Sequence, residues 1–330
     1  MDINREIGKL DWSKEPKGLY EPIAYTLSAG GKRLRPTLAL LGAECEMRNA
    51  ECKMQNAECR MQNAECKMQN AECKMEDVVQ VALALEVFHN FTLLHDDVMD
   101  KAEVRRGRAT VHVRWNENTA ILSGDQMLIE AYKLLSGIQA DKLPTVLRLF
   151  NKMATEICEG QQYDMDYELR EDVSIEEYMK MIRLKTSVLL ATALQIGAYM
   201  AGANEDRQHA LYEYGIALGM AFQLQDDYLD CYGDEATFGK AIGGDIREGK
   251  KTFMLLMAKQ LANAEQLKEL ESRNYERVIA VYDQLGIDGK AQQKISEYTS
   301  QALEWLGKVP QNEATQQLRT MAEKLLKRER

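Results

Sequence analysis

Apolar residues recur at i, i+3, i+4 and i+7 from Val78 to Val98, Ala120 to Leu135, Val146 to Gln162, Ile175 to Met200 and Leu211 to Leu229. The same period continues from Thr252 to Leu270, Tyr275 to Leu285 and Gly289 to Leu306. That spacing gathers apolar side chains on one face of an α-helix. Alternating, strand-like runs are nearly absent. Breaks are few: Gly30-Gly31, Gly107, Pro144, Gly202, Gly233 to Gly249, Gly286 and Pro310. The stretch ending Lys327-Arg328-Glu329-Arg330 predicts a closing helix. The pattern predicts an all-α chain. With no shift of composition between its halves, it predicts one domain over 1–330.

Residues 43–75 stand apart. Ala-Glu-Cys recurs there five times at a period of seven, in the frame Met-x-Asn-Ala-Glu-Cys-Lys. Met and the Ala three positions later share a helix face, as in a coiled coil. Ala buries little, so the face is weak. Glu and Lys within a repeat are two apart and form no i,i+4 pair. The segment reads as a tandem expansion inserted in a connection; a coiled-coil arm for a partner is the alternative. Between antiparallel neighbours it must turn back as a hairpin or be irregular.

The chain has 330 residues, 45% hydrophobic and 28% charged, with 5 Pro, so it can bury a sizeable core and is neither collagen-like nor disordered. Acids outnumber bases 52 to 42, a net charge of −10, which argues against a nucleic-acid partner. No apolar run reaches the roughly 20 residues that span a bilayer, and the mixed-charge N-terminus has no apolar signal core. A cytoplasmic location is expected. Five of the seven cysteines (Cys45, Cys52, Cys59, Cys66, Cys73) belong to the repeat and two, Cys158 and Cys231, are isolated. This matches neither a zinc pattern nor a disulfide framework.

Two acidic clusters carry the chemistry. In Leu94-His95-Asp96-Asp97-Val98-Met99-Asp100, Asp96 and Asp100 stack on one helix face. Stacked carboxylates repel, and Mg²⁺ prefers such oxygens. Alone, the cluster also fits a solvated helix end, but the apolar run Val87 to Leu94 before it suggests buried carboxylates that need a counter-charge. Phe222-Gln223-Leu224-Gln225-Asp226-Asp227-Tyr228-Leu229-Asp230 repeats the arrangement after another apolar run. Two such clusters facing a cleft would cage Mg²⁺ ions around a diphosphate. Basic groups flank both: Gly30-Gly31-Lys32-Arg33-Leu34-Arg35-Pro36 at a loop-to-helix junction, Arg105-Arg106-Gly107, Lys185-Thr186, and Lys240, Lys250 and Lys251. Any one of these fits a surface charge. Together they suggest two phosphate sites, one held by metal and one held directly by Lys and Arg.

These motifs resemble those of the trans-isoprenyl diphosphate synthases, or polyprenyl synthetases, of the short-chain farnesyl and geranylgeranyl type. GGKRLRP, HDDVMD followed by RRG, GQQYD, KT, FQLQDDYLD and GKAIGGDIREGKKT carry the likeness, which runs from Leu19 to about Leu306 apart from the repeat. The resemblance implies an all-α bundle around a central cavity and a homodimer. It implies Asp96, Asp100 and Asp226 as ligands of Mg²⁺, three ions per active site, supported by Asp97, Asp227 and Asp230. It gives Arg105, Lys185, Thr186, Gln223, Lys240 and Lys250 to the allylic diphosphate. It gives Lys32, Arg35, His89 and Arg106 to isopentenyl diphosphate. Gln161 and Asp164 match a helix position near the metal cluster. His89 lies seven residues before Asp96, on the same helix face. His95, Trp115 and Met179 to Met181 read as packing.

The implied reaction ionises the allylic C–O bond, joins isopentenyl diphosphate head-to-tail and passes a proton to the released diphosphate. No side-chain base stands out. Product length should depend on the helix below Asp96, where one turn rises about 5.4 Å, near one isoprene unit. Phe88 and Phe91 are bulky there and Thr92 is modest. In this family an aromatic five residues before the first Asp implies geranylgeranyl diphosphate (C20), with farnesyl diphosphate (C15) second. A terpene cyclase would usually lack the second cluster and GGKRLRP. A non-catalytic subunit using the heptad arm would be expected to show damaged motifs, and none is damaged.

Overall fold

The computed structural model describes residues 2–54, 64–233 and 242–326, with side chains described over 2–46, 75–233 and 242–325. The helices are α1 (Ile3–Ile7), α2 (Lys17–Ser28), α3 (Leu34–Met54), α4 (Ala64–Met99), α5 (Val111–Arg114), α6 (Glu117–Ser136), α7 (Leu143–Glu168), α8 (Ile175–Ile182) and α9 (Val188–Met200). They continue as α10 (Glu205–Tyr232), α11 (Gly244–Glu248), α12 (Phe253–Leu261), α13 (Ala264–Glu271), α14 (Tyr275–Leu285), α15 (Ile287–Leu306) and α16 (Glu313–Leu326). The all-α expectation holds. The repeat extends α3 and α4 from either side; its middle, 55–63, lies outside the described residues, and the hairpin expectation with it.

Packing divides the chain into two compact units. Unit 1 holds Met1–Leu149 and Ala193–Asn204, and unit 2 holds Phe150–Thr192 and Glu205–Arg330. Within unit 1, α4 packs on α3 and α6. Val78, Val81, Ala82, Leu85 and Phe88 recur at helical spacing and are buried there. Each large apolar side chain so buried contributes about 1.5–3 kcal/mol. The segment Met75–Met99 is long and apolar enough to cross a membrane, contrary to the sequence expectation. Its apolar side chains are mostly buried inside the protein, as in a core helix.

Within unit 2, α10 packs on α15 and α16, and the Tyr214 hydroxyl donates to the Leu318 carbonyl at 2.7 Å. The helical run expected over 175–200 is interrupted by a π-helical turn, Arg183–Ser187. Neighbouring glycines permit a close backbone approach on both sides of this turn. A Cβ at Gly160 of α7 would lie 2.8 Å from the Leu184 carbonyl carbon, and one at Gly219 of α10 would lie 2.6 Å from Ser187 Cα. The run expected over 252–270 is also two helices. Ala262 turns extended, and Asn263 caps α13 in a reciprocal box with Gln266.

One small hairpin departs from the helical pattern. Val104–Arg105 (β1) pairs antiparallel with Arg108–Ala109 (β2). Arg106 and Gly107 between them both have positive φ, +54° and +73°, the conformation that two-residue hairpin turns favour.

The π turn depends on Gly219 having no side chain. Gly219→Ala should therefore destabilise the chain by about 1–3 kcal/mol, read as a lowered urea midpoint. Wild-type stability in that variant would show that the turn is not held by close packing.

Candidate active site

The end of α4 supplies the acidic face of unit 1. Asp100 lies just past the helix, yet its N–H donates to the Asp96 carbonyl at 2.8 Å, so the i,i+4 relation of the two carboxylates survives. Asp97 turns inward and is buried. It accepts from Arg105 Nε at 2.6 Å, and Arg105 Nη2 lies 3.8 Å from Asp96 Oδ2. Burial pushes the Asp97 carboxyl up, while Arg105 pulls it down. The hairpin turn holds Arg105 and Arg106 side by side in sequence with opposite tasks. Arg106 donates to the Gly30 carbonyl, and its guanidinium covers Gly31, where a Cβ would lie 2.9 Å from Arg106 Cζ. The glycine pair thus admits the Arg106 guanidinium against its backbone.

His89 lies on α4 and is buried. Burial holds its imidazole well below the usual histidine range, and the charges of Arg35, Arg106, Arg105 and Arg33 hold it there too. At neutral pH it is an uncharged ring with one N–H to donate. Lys32 is exposed and Arg35 is half-buried. Arg33 escaped the sequence reading. It is buried at 7% exposure, and its Nη1 donates to Glu86 Oε1 at 2.6 Å. Glu86 is the signal that could have found it: a lone acid inside the apolar run of α4 requires a counter-charge.

Below the acidic end, Phe88 is buried and Phe91 and Thr92 are half-buried. The rings of Phe88 and Phe91 lie 5.5 Å apart, and Phe91 packs edge-on against His95 at 4.7 Å. The Thr92 hydroxyl donates to the His89 carbonyl at 2.8 Å. His95 contacts the Ile121 carbonyl at 3.0 Å, which fits its packing role.

Unit 2 assembles its groups around the π turn. Lys185 and Thr186 sit at its centre. Lys185 Nζ donates to Asp164 Oδ2 at 2.5 Å. Thr186 Oγ1 donates to Gln223 Oε1 at 3.2 Å, and Gln223 Nε2 donates to Asp227 Oδ1 at 3.1 Å. Tyr178, a buried residue that no motif marks, donates its hydroxyl to Asp227 Oδ2. Among the described residues, the buried Nε2 of Gln161 finds no hydrogen-bond partner. Asp230 accepts from the N–H groups of Gly244 and Asp245 at 3.2 and 3.0 Å, so it caps α11. Lys250 Nζ lies 3.4 Å from Asp245 Oδ1 and 3.0 Å from Glu248 Oε2. Lys240 lies outside the described residues.

Asp226 is half-buried beside these groups. Burial and the Asp245 charge push Asp227 up to about 8 and Asp230 to about 6. Buried carboxylates so crowded call for a cation. Asp96, Asp100 and Asp226 offer only carboxylate oxygens, the donor type that suits Mg²⁺. Among the described residues, no three acidic, imidazole or thiolate side chains close around one point.

A family model for polyprenyl synthetases matches residues 16–281. The chain is 40% identical over 245 residues to a geranylgeranyl diphosphate synthase of Methanosarcina mazei, covering 74% of this chain and 68% of that one. It is 36% identical to a geranylfarnesyl diphosphate synthase of Natronomonas pharaonis, over 99% of this chain and 94% of that one. The crystal structure of a geranylgeranyl pyrophosphate synthetase from Pyrococcus horikoshii superimposes with a TM-score of 0.86 at 31% identity, covering 99% and 95% of the two chains. A matched span that begins before GGKRLRP and ends beyond the second acidic cluster, together with relatives alike over nearly the whole length, establishes that this chain belongs to the polyprenyl synthetase family.

Proposed function

We propose that this protein is a Mg²⁺-dependent trans-prenyltransferase that condenses isopentenyl diphosphate head-to-tail with an allylic diphosphate, releasing diphosphate and a short-chain prenyl diphosphate. The observation that carries the reading lies in unit 1. An all-oxygen pair, Asp96 and Asp100, stands in the same unit as a neutral His89 set in the field of four arginines. Those are two different ways of holding a diphosphate. A terpene cyclase needs only one, and the family relatives do not favour that alternative.

In this account Lys32, Arg35, His89 and Arg106 hold isopentenyl diphosphate directly. His89 donates a hydrogen bond without adding charge. Arg105, Lys185, Thr186, Gln223, Lys240 and Lys250 hold the allylic diphosphate, with Asp97 and Asp164 aiming Arg105 and Lys185. Asp96, Asp100 and Asp226 would hold Mg²⁺, three ions per site, which would supply positive charge to the departing diphosphate. The cationic side chains stabilise that same charge as the allylic C–O bond breaks and both its electrons leave with oxygen. The double bond of isopentenyl diphosphate then forms the new C–C bond. The adjacent carbon loses a proton to the released diphosphate, in keeping with a His89 too acidic in its protonated form to act as a strong base.

For product length we propose C20, with Phe91 and Phe88 as the floor and Thr92 beside them. The names of the relatives run from geranylgeranyl to geranylfarnesyl, so the second candidate is C25 and the farnesyl expectation gives way. We also propose a cytoplasmic homodimer. α6 exposes Ile121, Leu122 and Ile129 as an apolar face suited to a second copy.

Three outcomes follow. With Mg²⁺, isopentenyl diphosphate and geranyl diphosphate, the products sized by chromatography should end at C20, and a chelator should abolish turnover; turnover that survives chelation would refute the metal role. Phe91→Ala should shift the products longer by at least one isoprene unit, and an unchanged length would remove Phe91 from the floor. Light scattering should give twice the chain mass, falling to one with Ile121→Glu/Ile129→Glu; a monomeric wild type would refute the dimer.

A further inference from the structure

Arg33 lies between Lys32 and Arg35 in GGKRLRP yet behaves unlike either. It is 7% exposed, whereas Lys32 is exposed and Arg35 half-buried. Its backbone has φ +46°, a left-handed conformation that residues with a side chain rarely adopt. What holds it there is its guanidinium. Nη1 donates to Glu86 Oε1 at 2.6 Å, Nη2 to the Leu27 carbonyl at 2.6 Å, and Nε to Asn4 Oδ1 at 3.2 Å. One side chain thus ties α1, α2 and α4 to the loop that carries Lys32 and Arg35.

Glu86 completes the device. It is 2% exposed and lies three residues before His89 on α4. Asn90 Nδ2 donates to the Glu86 carbonyl at 2.8 Å and to Oε1 at 3.1 Å, which fixes the carboxylate on its own helix. A buried carboxylate that meets a buried guanidinium squarely is costly to break from one side, because the remaining charge stays unpaired.

We infer that Arg33 and Glu86 form a buried strut that positions Lys32, Arg35 and His89 for isopentenyl diphosphate while touching no substrate themselves; the inference rests on the reaction proposed above. Glu86 draws Arg33 inward and so fixes the left-handed turn. That turn sets the direction in which Lys32 leaves the loop and α3 begins with Arg35. Both are positioning residues.

The test uses the full chain with Mg²⁺, isopentenyl diphosphate and geranyl diphosphate. Glu86→Gln is isosteric and leaves the Arg33 bonds to Leu27 and Asn4 available, and Arg33→Lys keeps a charge for Glu86 but lacks the fork. Each variant should raise KM for isopentenyl diphosphate, by about tenfold for Glu86→Gln and less for Arg33→Lys, with kcat and the allylic KM within about threefold of wild type. Calorimetric binding of isopentenyl diphosphate alone should weaken by the same factor. Equal rises in both KM values, or an unchanged isopentenyl KM in a variant that melts like wild type, would overturn the strut. A wild type without turnover would overturn the underlying reaction instead.

Discussion

An acidic chain that handles two polyanions faces one electrostatic constraint: it must concentrate positive charge locally against a net charge of −10. Its two units use different means. Unit 1 gathers Arg33, Arg35, Arg105 and Arg106 around a histidine kept neutral by burial and by their fields. Unit 2 crowds buried carboxylates until Asp227 and Asp230 hold protons far more readily than usual, which makes a cation welcome. Arginine suits the first task because its planar fork satisfies several acceptors at once. Carboxylate oxygens are the donors that Mg²⁺ prefers, and the proposed ligands lie in both units, Asp96 and Asp100 in unit 1 and Asp226 in unit 2.

Backbone geometry places these charges. Left-handed residues cluster where the chain must turn sharply: Arg33 before α3, Lys101 after α4 and Arg106 in the hairpin. Strain of this kind persists only where surrounding contacts fix it. Here the contacts are Arg33 with Glu86 and Arg106 with Gly30. In unit 2 the corresponding device is the π turn, which two glycines allow to approach its neighbours closely. π turns of this sort are frequent at functional sites.

Much of this was legible beforehand, for physical reasons. Long apolar periodicity left little alternative to helices, and Asp96 and Asp100 had to share a face once α4 was a helix. What the sequence hid came from competing local forces. Asn263 offers its side chain to backbone N–H groups and so ends a helix that periodicity alone would continue. The π turn leaves the apolar period nearly intact, so no pattern marks it. Arg33 and Arg35 look equivalent in GGKRLRP, and only the buried acid on α4 tells them apart. Tyr178 becomes visible as a partner of Asp227 only when the helices are packed. The repeat over 43–75 extends two helices, α3 to Met54 and α4 from Ala64.

In the proposed reaction isopentenyl diphosphate rests on Lys32, Arg35, His89 and Arg106 alone, whereas the allylic diphosphate needs Mg²⁺ besides its side-chain contacts. Calorimetry of each substrate with and without Mg²⁺ tests that division directly. Isopentenyl diphosphate should bind with little change when the metal is withheld, whereas the allylic diphosphate should lose most of its affinity. If both substrates depended equally on Mg²⁺, or neither did, the division of labour between the two kinds of site would be wrong.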